Sequence, residues 1–190
     1  MFRTFEAVLA PTIGQQVKLA RLFRFQCELY NAALEERRGV WAQNSVSVSR
    51  FEQFKSLSGF EHPVMDFGTV PARGTLTRLD RAFQSFFRRV KAGEKAGFPR
   101  FKPSTRWASV EYPDRSCWKI TAGDRKHDGV GRLYLQGVGQ VRFRGAKRGI
   151  RGAPKTLIVR RVAGKYRMYV AYVLEPTYGP RKPQTPQNIG

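Results

Sequence analysis

Apolar residues alternate at the start of the chain. Phe5, Ala7 and Leu9 share one parity, the pattern of a half-buried strand running from Arg3 to Leu9, and Pro11 ends it. Thr12 is placed to cap a helix. From Gln15 the period lengthens to that of a helix, with Leu19, Leu22, Gln26, Leu29, Tyr30, Ala33 and Leu34 on one stripe. Glu35, Glu36, Arg37 and Arg38 are expected on its outer face before it fades between Trp41 and Asn44, and Lys18, Arg21 and Arg24 form a cationic row on its first turns. Ser49 can cap a short helix carrying Phe51, Phe54 and Leu57 that Gly59 would end. The stretch through His62-Pro63 to Gly68 reads as loop. Pro71 suits the first turn of a second long helix, whose stripe runs Leu76, Leu79, Ala82, Phe83, Phe86, Phe87 and Val90 and stops near Gly93.

After Lys102 the period changes to two. The predicted strands are Ala108 to Tyr112, Trp118 to Thr121, Arg132 to Leu135, Gly139 to Arg144, Lys155 to Val162 and Tyr166 to Leu174, with Ala163-Gly164-Lys165 as a hairpin turn between the last two. Helices first and many short strands after predict an α+β chain with a small OB-like β-barrel that closes its own edges. Gly97-Phe98-Pro99-Arg100-Phe101-Lys102 joins the halves. Its alternating aromatics and cations read either as an extended connector offering rings and phosphate partners or as a packed hinge.

Charge sharpens the picture. Against 35 Lys and Arg stand 14 Asp and Glu, a formal charge of +21 that makes a polyanion the expected partner. Between Pro71 and Arg106 ten bases, among them Arg73, Arg78, Arg81, Arg88, Arg89 and Lys91, face only Asp80 and Glu94. From Gly129 to Leu174 eleven bases face no acid, which marks the strand-rich half as a nucleic-acid surface too. No apolar run is long enough to span a bilayer and no signal peptide opens the chain, so no membrane partner is expected. Cys27 and Cys117 belong to no metal-binding or disulfide pattern, and a buried apolar role in a reducing cytoplasm is expected for both.

Catalytic chemistry is hard to find. The acids Glu6, Glu28, Asp66, Asp80, Glu111, Asp114, Asp124 and Asp128 sit singly in different predicted elements, whereas two-metal hydrolysis needs carboxylates that converge. There is no GxxxxGK[ST], GxSxG or HExxH. His62 has no nearby histidine, cysteine or paired carboxylate, so a metal site is not expected there. No enzymatic activity is expected of this chain alone.

Taken in order, Tyr30-Asn31 with Glu35, Arg37 and Arg38, then Leu79-Asp80-Arg81-Ala82-Phe83 with Phe86-Phe87-Arg88, then Gly97 to Lys102, resemble the N-terminal half of TnpB-type proteins. These are RNA-guided nucleases of IS200/IS605 and IS607 elements, related to compact type V CRISPR effectors. Gly131 to Leu135, Gly139-Gln140-Val141 and Lys155 to Val173 extend the match over nearly the whole chain.

The resemblance implies a wedge β-barrel from 1–10 and 106–176, an inserted helical recognition lobe over 11–105, and a proline-rich linker over 177–190 leading toward a RuvC-like nuclease domain. It implies guide RNA and double-stranded DNA target as partners, with base pairing reading the target and the protein reading a flanking motif. Thr69, Val70, Arg73 and Tyr112 correspond by position to the flanking-motif contacts. Arg100, Lys102, Arg142, Arg144, Arg148, Arg151, Arg160 and Arg161 become candidates for RNA backbone contact, beside the helix cations Arg78 and Arg81. In that family the first catalytic aspartate follows a segment like Asn188-Ile189-Gly190, so the catalytic part and its magnesium are expected outside these 190 residues, and no cofactor is expected within them. A prokaryotic, nucleoid-associated location is implied by the same likeness. Two alternatives stay open: half of a split nuclease completed by a separate RuvC-bearing chain, and a general RNA-binding structural protein; a RuvC-bearing chain and a second copy both stay open as partners.

Overall fold

The structure, a computed structural model, describes residues 2–57, 66–121, 130–144 and 152–174. Strand β1 (Phe2–Ala10) is followed by helices α1 (Ile13–Asn44), α2 (Arg50–Leu57) and α3 (Thr69–Lys91). A 3₁₀ turn at Ser104–Arg106 then leads into β2 (Ser109–Tyr112), β3 (Trp118–Thr121), β4 (Val130–Leu135), β5 (Gly139–Arg144), β6 (Ala153–Val162) and β7 (Lys165–Val173). The predicted starts and stops have local causes. Thr12 and Gln15 form a capping box, each side chain accepting from the other's amide at 3.3 and 3.0 Å. Ser49 and Glu52 form a second one at the start of α2. Ala163 and Gly164, at φ 47° and 75°, make the two-residue turn whose twist matches the flanking strands.

All seven strands join one antiparallel sheet in the order β2-β6-β7-β1-β5-β4-β3. β1, first in sequence, sits between β7 and β5, so the three helices interrupt the sheet's chain path. Inward parity supplies the core: Ala7 and Leu9, Val110 and Tyr112, Leu133 and Leu135, Val141 and Phe143, Leu157 and Val159, Met168 and Val170 are all buried. The Phe143 ring occupies the space that a side chain at Gly131 would fill, 2.1 Å from where its Cβ would stand.

The barrel expected to close its edges is not closed in its hydrogen bonding. Among the described residues β2 and β3 are the two edges of the sheet, with no ladder between them. Yet they are consecutive in sequence. Six Cα steps from Tyr112 to Trp118 reach at most about 22 Å, whereas six strand spacings of a flat sheet span about 29 Å. The sheet must therefore roll up until its edges approach, and the start of α3 is packed into that seam. A Cβ on Gly74 would stand 2.4 Å from the Glu111 carbonyl oxygen on β2, and one on Gly68 would stand 2.4 Å from Cys117 Sγ beside β3. Arg73 Nη2 donates to Asp114 Oδ2 in the β2–β3 link at 2.6 Å. A helix too close to β2 for any side chain at Gly74 takes the place of the missing ladder.

Two expectations about the helices need correction. Arg37, placed on the outer face of α1, is buried: its Nε donates to Gln53 Oε1 at 2.9 Å, Nη1 lies 3.4 Å from Asp80 Oδ1, and the guanidinium sits 5.2 Å from the Phe83 ring centroid. It ties α1 to α2 and α3. The apolar stripe of α3 is fully buried only through Leu79; Phe83 and Phe86 are half-buried, and Phe87 and Val90 are exposed.

Candidate nucleic-acid interface

On the outer parity of the sheet the arginines line up by register. Arg132 on β4 is directly opposite Arg142 on β5. One pair further along, Arg144 on β5 faces Val8 on β1, Val8 faces Arg167 on β7, and Arg167 faces Arg160 on β6. Arg160 in turn faces Ser109 on the edge strand β2, whose carbonyl and hydroxyl accept from Arg78 at 3.2 and 3.1 Å. Burial lowers the pKa of Arg78, and the neighbouring guanidinium groups of Arg81 and Arg160 act in the same direction. The band thus passes from the sheet onto α3 through Arg78, where Arg81 and Arg88 continue it along the side of the helix away from the apolar stripe.

Cross-strand like charges destabilise a sheet by roughly 0.2–1 kcal/mol a pair. Only Arg167 of this band on the sheet has an acidic partner among the described residues, Glu6 Oε1 at 2.7 Å. Arg132 has just a long contact to Gln140 Oε1 at 3.4 Å. Beside Arg132, Arg142 and Arg144 a cleft of about 620 Å³ opens against the first turn of α1. Gln15 Nε2 pins that turn to the Gln140 carbonyl at 2.8 Å. No acidic residue stands in the first turn of α1, so the positive end of the helix dipole adds to the three guanidinium groups.

The residues singled out from the sequence divide among several places. Arg142, Arg144 and Arg160 lie on the band, and Arg161 is exposed at the end of β6 on the opposite parity. Arg78 is held inward against Ser109, with its guanidinium 4.8 Å from the Trp107 ring, so it links the two parts of the band and presents little of itself. Arg81 is exposed and lies 3.3 Å from Glu111 Oε2. Thr69 is exposed at the start of α3, and Arg73 is committed to Asp114.

Val70 and Tyr112 are fully buried, so neither side chain stands on the surface. Tyr112 points into the seam, where burial pushes its hydroxyl pKa far up. Arg100 and Lys102 are exposed on the connector, which lies along α1: Asn31 holds the Lys102 backbone from both sides, accepting from its amide at 2.8 Å and donating to its carbonyl at 2.9 Å. The connector is therefore both clamped and displayed. Arg148, Arg151 and the linker over 177–190 lie outside the described residues.

Sequence pattern did not single out Arg132 or Arg167. Their parity on β4 and β7 was legible, but the register that sets them beside Arg142 and Arg160 was not. Among the described residues no three His, Cys, Asp or Glu side chains gather as a metal site, and no helix is long and apolar enough to cross a membrane.

No family model and no curated protein matches the chain. Among solved structures, one described as the cryo-EM structure of the Cas12f1-sgRNA-target DNA complex is similar over 92% of this chain and 49% of that one, at 12% identity and a TM-score of 0.47. This chain spans about half the length of the solved chain it matches.

Proposed function

We propose that this chain is the nucleic-acid-binding portion of a TnpB-like RNA-guided DNA endonuclease, holding guide RNA and reading the motif beside the DNA target without cutting by itself. In this reading residues 1–10 and 106–176 are the wedge, rolled and sealed by α3 where an OB-like barrel would close by hydrogen bonds. Residues 11–105 are the inserted recognition lobe, and 177–190 lead to a nuclease domain that would bring the catalytic carboxylates and their magnesium. The observation that carries it is the uncompensated pairing of Arg132 with Arg142, continued by Arg144, Arg167 and Arg160. A sheet that sets like charges side by side gains most from a polyanion laid across them. The sequence motifs supply the finer identity.

The test is affinity for the cognate guide RNA, for unrelated RNAs and for duplex DNA at several salt concentrations. The expected result is a steep salt dependence for all three, with the guide RNA bound more tightly than unrelated RNAs. Equal affinity for every RNA would replace this reading with a general RNA-binding protein, and a flat salt dependence would remove the nucleic-acid reading. Metal-dependent cutting on addition of a separate RuvC-bearing chain would identify a split enzyme.

A further inference from the structure

The exposed second half of α3 is not bare helix. Phe83, Phe86 and Phe87 form an aromatic cluster with Phe98 of the connector, with ring centroids 5.2–6.2 Å apart. Between this cluster and the end of α1 lies a cleft of about 730 Å³ whose walls include Trp41, Phe83, Phe87 and Phe98, with Ser47 and Ser49 on one side. Trp41 is 60% exposed, Phe87 59% and Phe98 44%, so large ring faces stand open to solvent where a monomer would ordinarily cover them. Cations stand close to these rings along the chain. Arg38 lines the cleft with its guanidinium 5.3 Å from the Phe101 ring, Lys91 stands one turn beyond Phe87, and Arg100 follows Phe98 by two residues. Arg38, Lys91 and Arg100 form no ion pair among the described residues. The one acid in the wall among the described residues, Asp80, is occupied by Arg37, Arg50 and Gln84.

We propose that this cleft takes unpaired nucleobases of a single-stranded nucleic acid, stacked on Trp41, Phe87 and Phe98, with the adjoining phosphates on Arg38, Lys91 and Arg100. The inference rests on the nucleic-acid reading above and adds a second mode of contact to it, since the sheet band offers charge and this cleft offers rings. Open rings interleaved with unpaired cations are the pattern of base stacking beside a phosphate track. An apolar protein partner would have to strip water from those cations without replacing it. A second copy of a +21 chain packed here about a two-fold axis would bring the same cations face to face.

Trp41 reports on the cleft by itself, because the other two tryptophans, Trp107 and Trp118, are 4% and 1% exposed. The intact chain is titrated with a short oligothymidylate and with an abasic oligomer of the same length and charge. Oligothymidylate should quench Trp41 and bind at least about tenfold more tightly than the abasic oligomer. Phe87→Ala and Phe98→Ala, both at exposed positions, should each remove most of that ratio and leave the affinity and salt slope for the abasic oligomer unchanged. Equal affinity of the two oligomers for the parent chain overturns the proposal while leaving the nucleic-acid reading intact. Failure of both to bind at low salt overturns both. A Trp41 signal that follows protein concentration and a sedimenting dimer, without dependence on bases, assigns the cleft to a second copy and overturns it as well.

Discussion

The arginine cluster at the mouth of the α1 cleft gives the sharpest quantitative test. Arg132, Arg142 and Arg144 are exposed, and none has an ion-pair partner among the described residues, so their replacement by alanine should leave stability unchanged or, by relieving the Arg132–Arg142 repulsion, raise it by up to about 1 kcal/mol. Each phosphate contact on duplex DNA contributes about −0.9 to the slope of log K against log salt, and about −0.7 on a single strand. Removing all three should flatten the slope by roughly 2–3 and lower affinity at 0.1 M salt by about two to three decades from counterion release alone.

Fluorescence anisotropy with labelled duplex and guide RNA, run at five or more salt concentrations, reads the slope directly. Arg167→Ala is the internal comparison. That guanidinium is already paired with Glu6, so part of its charge is neutralised before any ligand arrives, and its loss should change the slope by less than half of what one unpaired contact contributes, below about 0.4. A triple variant with the parent slope would show that the band touches no phosphate.

Three further outcomes are expected from packing and charge. Asp80→Ala leaves the buried Arg37 guanidinium without its counter-ion and should cost about 3–5 kcal/mol in denaturant unfolding, a loss that Arg37→Met in the same chain should largely recover. If Asp80→Ala alone were neutral, Arg37 would not be the tie among the helices. Gly74→Ala drives a Cβ against the Glu111 carbonyl and should cost about 1–3 kcal/mol, seen as a lowered Tm and faster amide exchange in β2. The Asp114 carboxyl is penalised by burial, but hydrogen bonds from Ser116 and the charge of Arg73 outweigh this and hold its pKa below the ordinary carboxylate value. A depressed folded pKa means that its stabilisation is complete above the unfolded value and lost as pH falls through the folded one. Acid unfolding should therefore be shallower in Asp114→Asn, and an unchanged acid limb would clear the seam of any part in it.

Local signals carried much of the fold. Thr12 with Gln15 and Ser49 with Glu52 are caps that a helix start needs wherever it stands, and Gly164 accepts the positive φ of the hairpin turn, into which the flanking strands hold Ala163 against its own preference. The strand at Gly139–Arg144 is recovered to the residue because alternation along one strand needs no knowledge of its neighbours. The fate of the α3 stripe depended on something else. Nothing between Phe83 and Val90 distinguishes its apolar face from that of Leu76 and Leu79, and only the tertiary packing decides which half is covered. Arg37 is the converse: surrounded in sequence by charge, it reads as surface, but Gln53 and Asp80 come from two other helices to make its burial tolerable.

The elements, their order, the inward parity of each strand and the excess of positive charge are thus legible in the chain alone, since they depend on composition and on neighbours a few residues apart. Long-range packing was needed to leave β2 and β3 unpaired with α3 in the seam between them, and to join Arg132 and Arg167 to Arg142, Arg144 and Arg160 in one band. Register and helix docking are set by contacts between residues distant in the chain. A shift of one residue in any strand would carry its arginines to the other face, and no pattern within a single strand records where its neighbour lies.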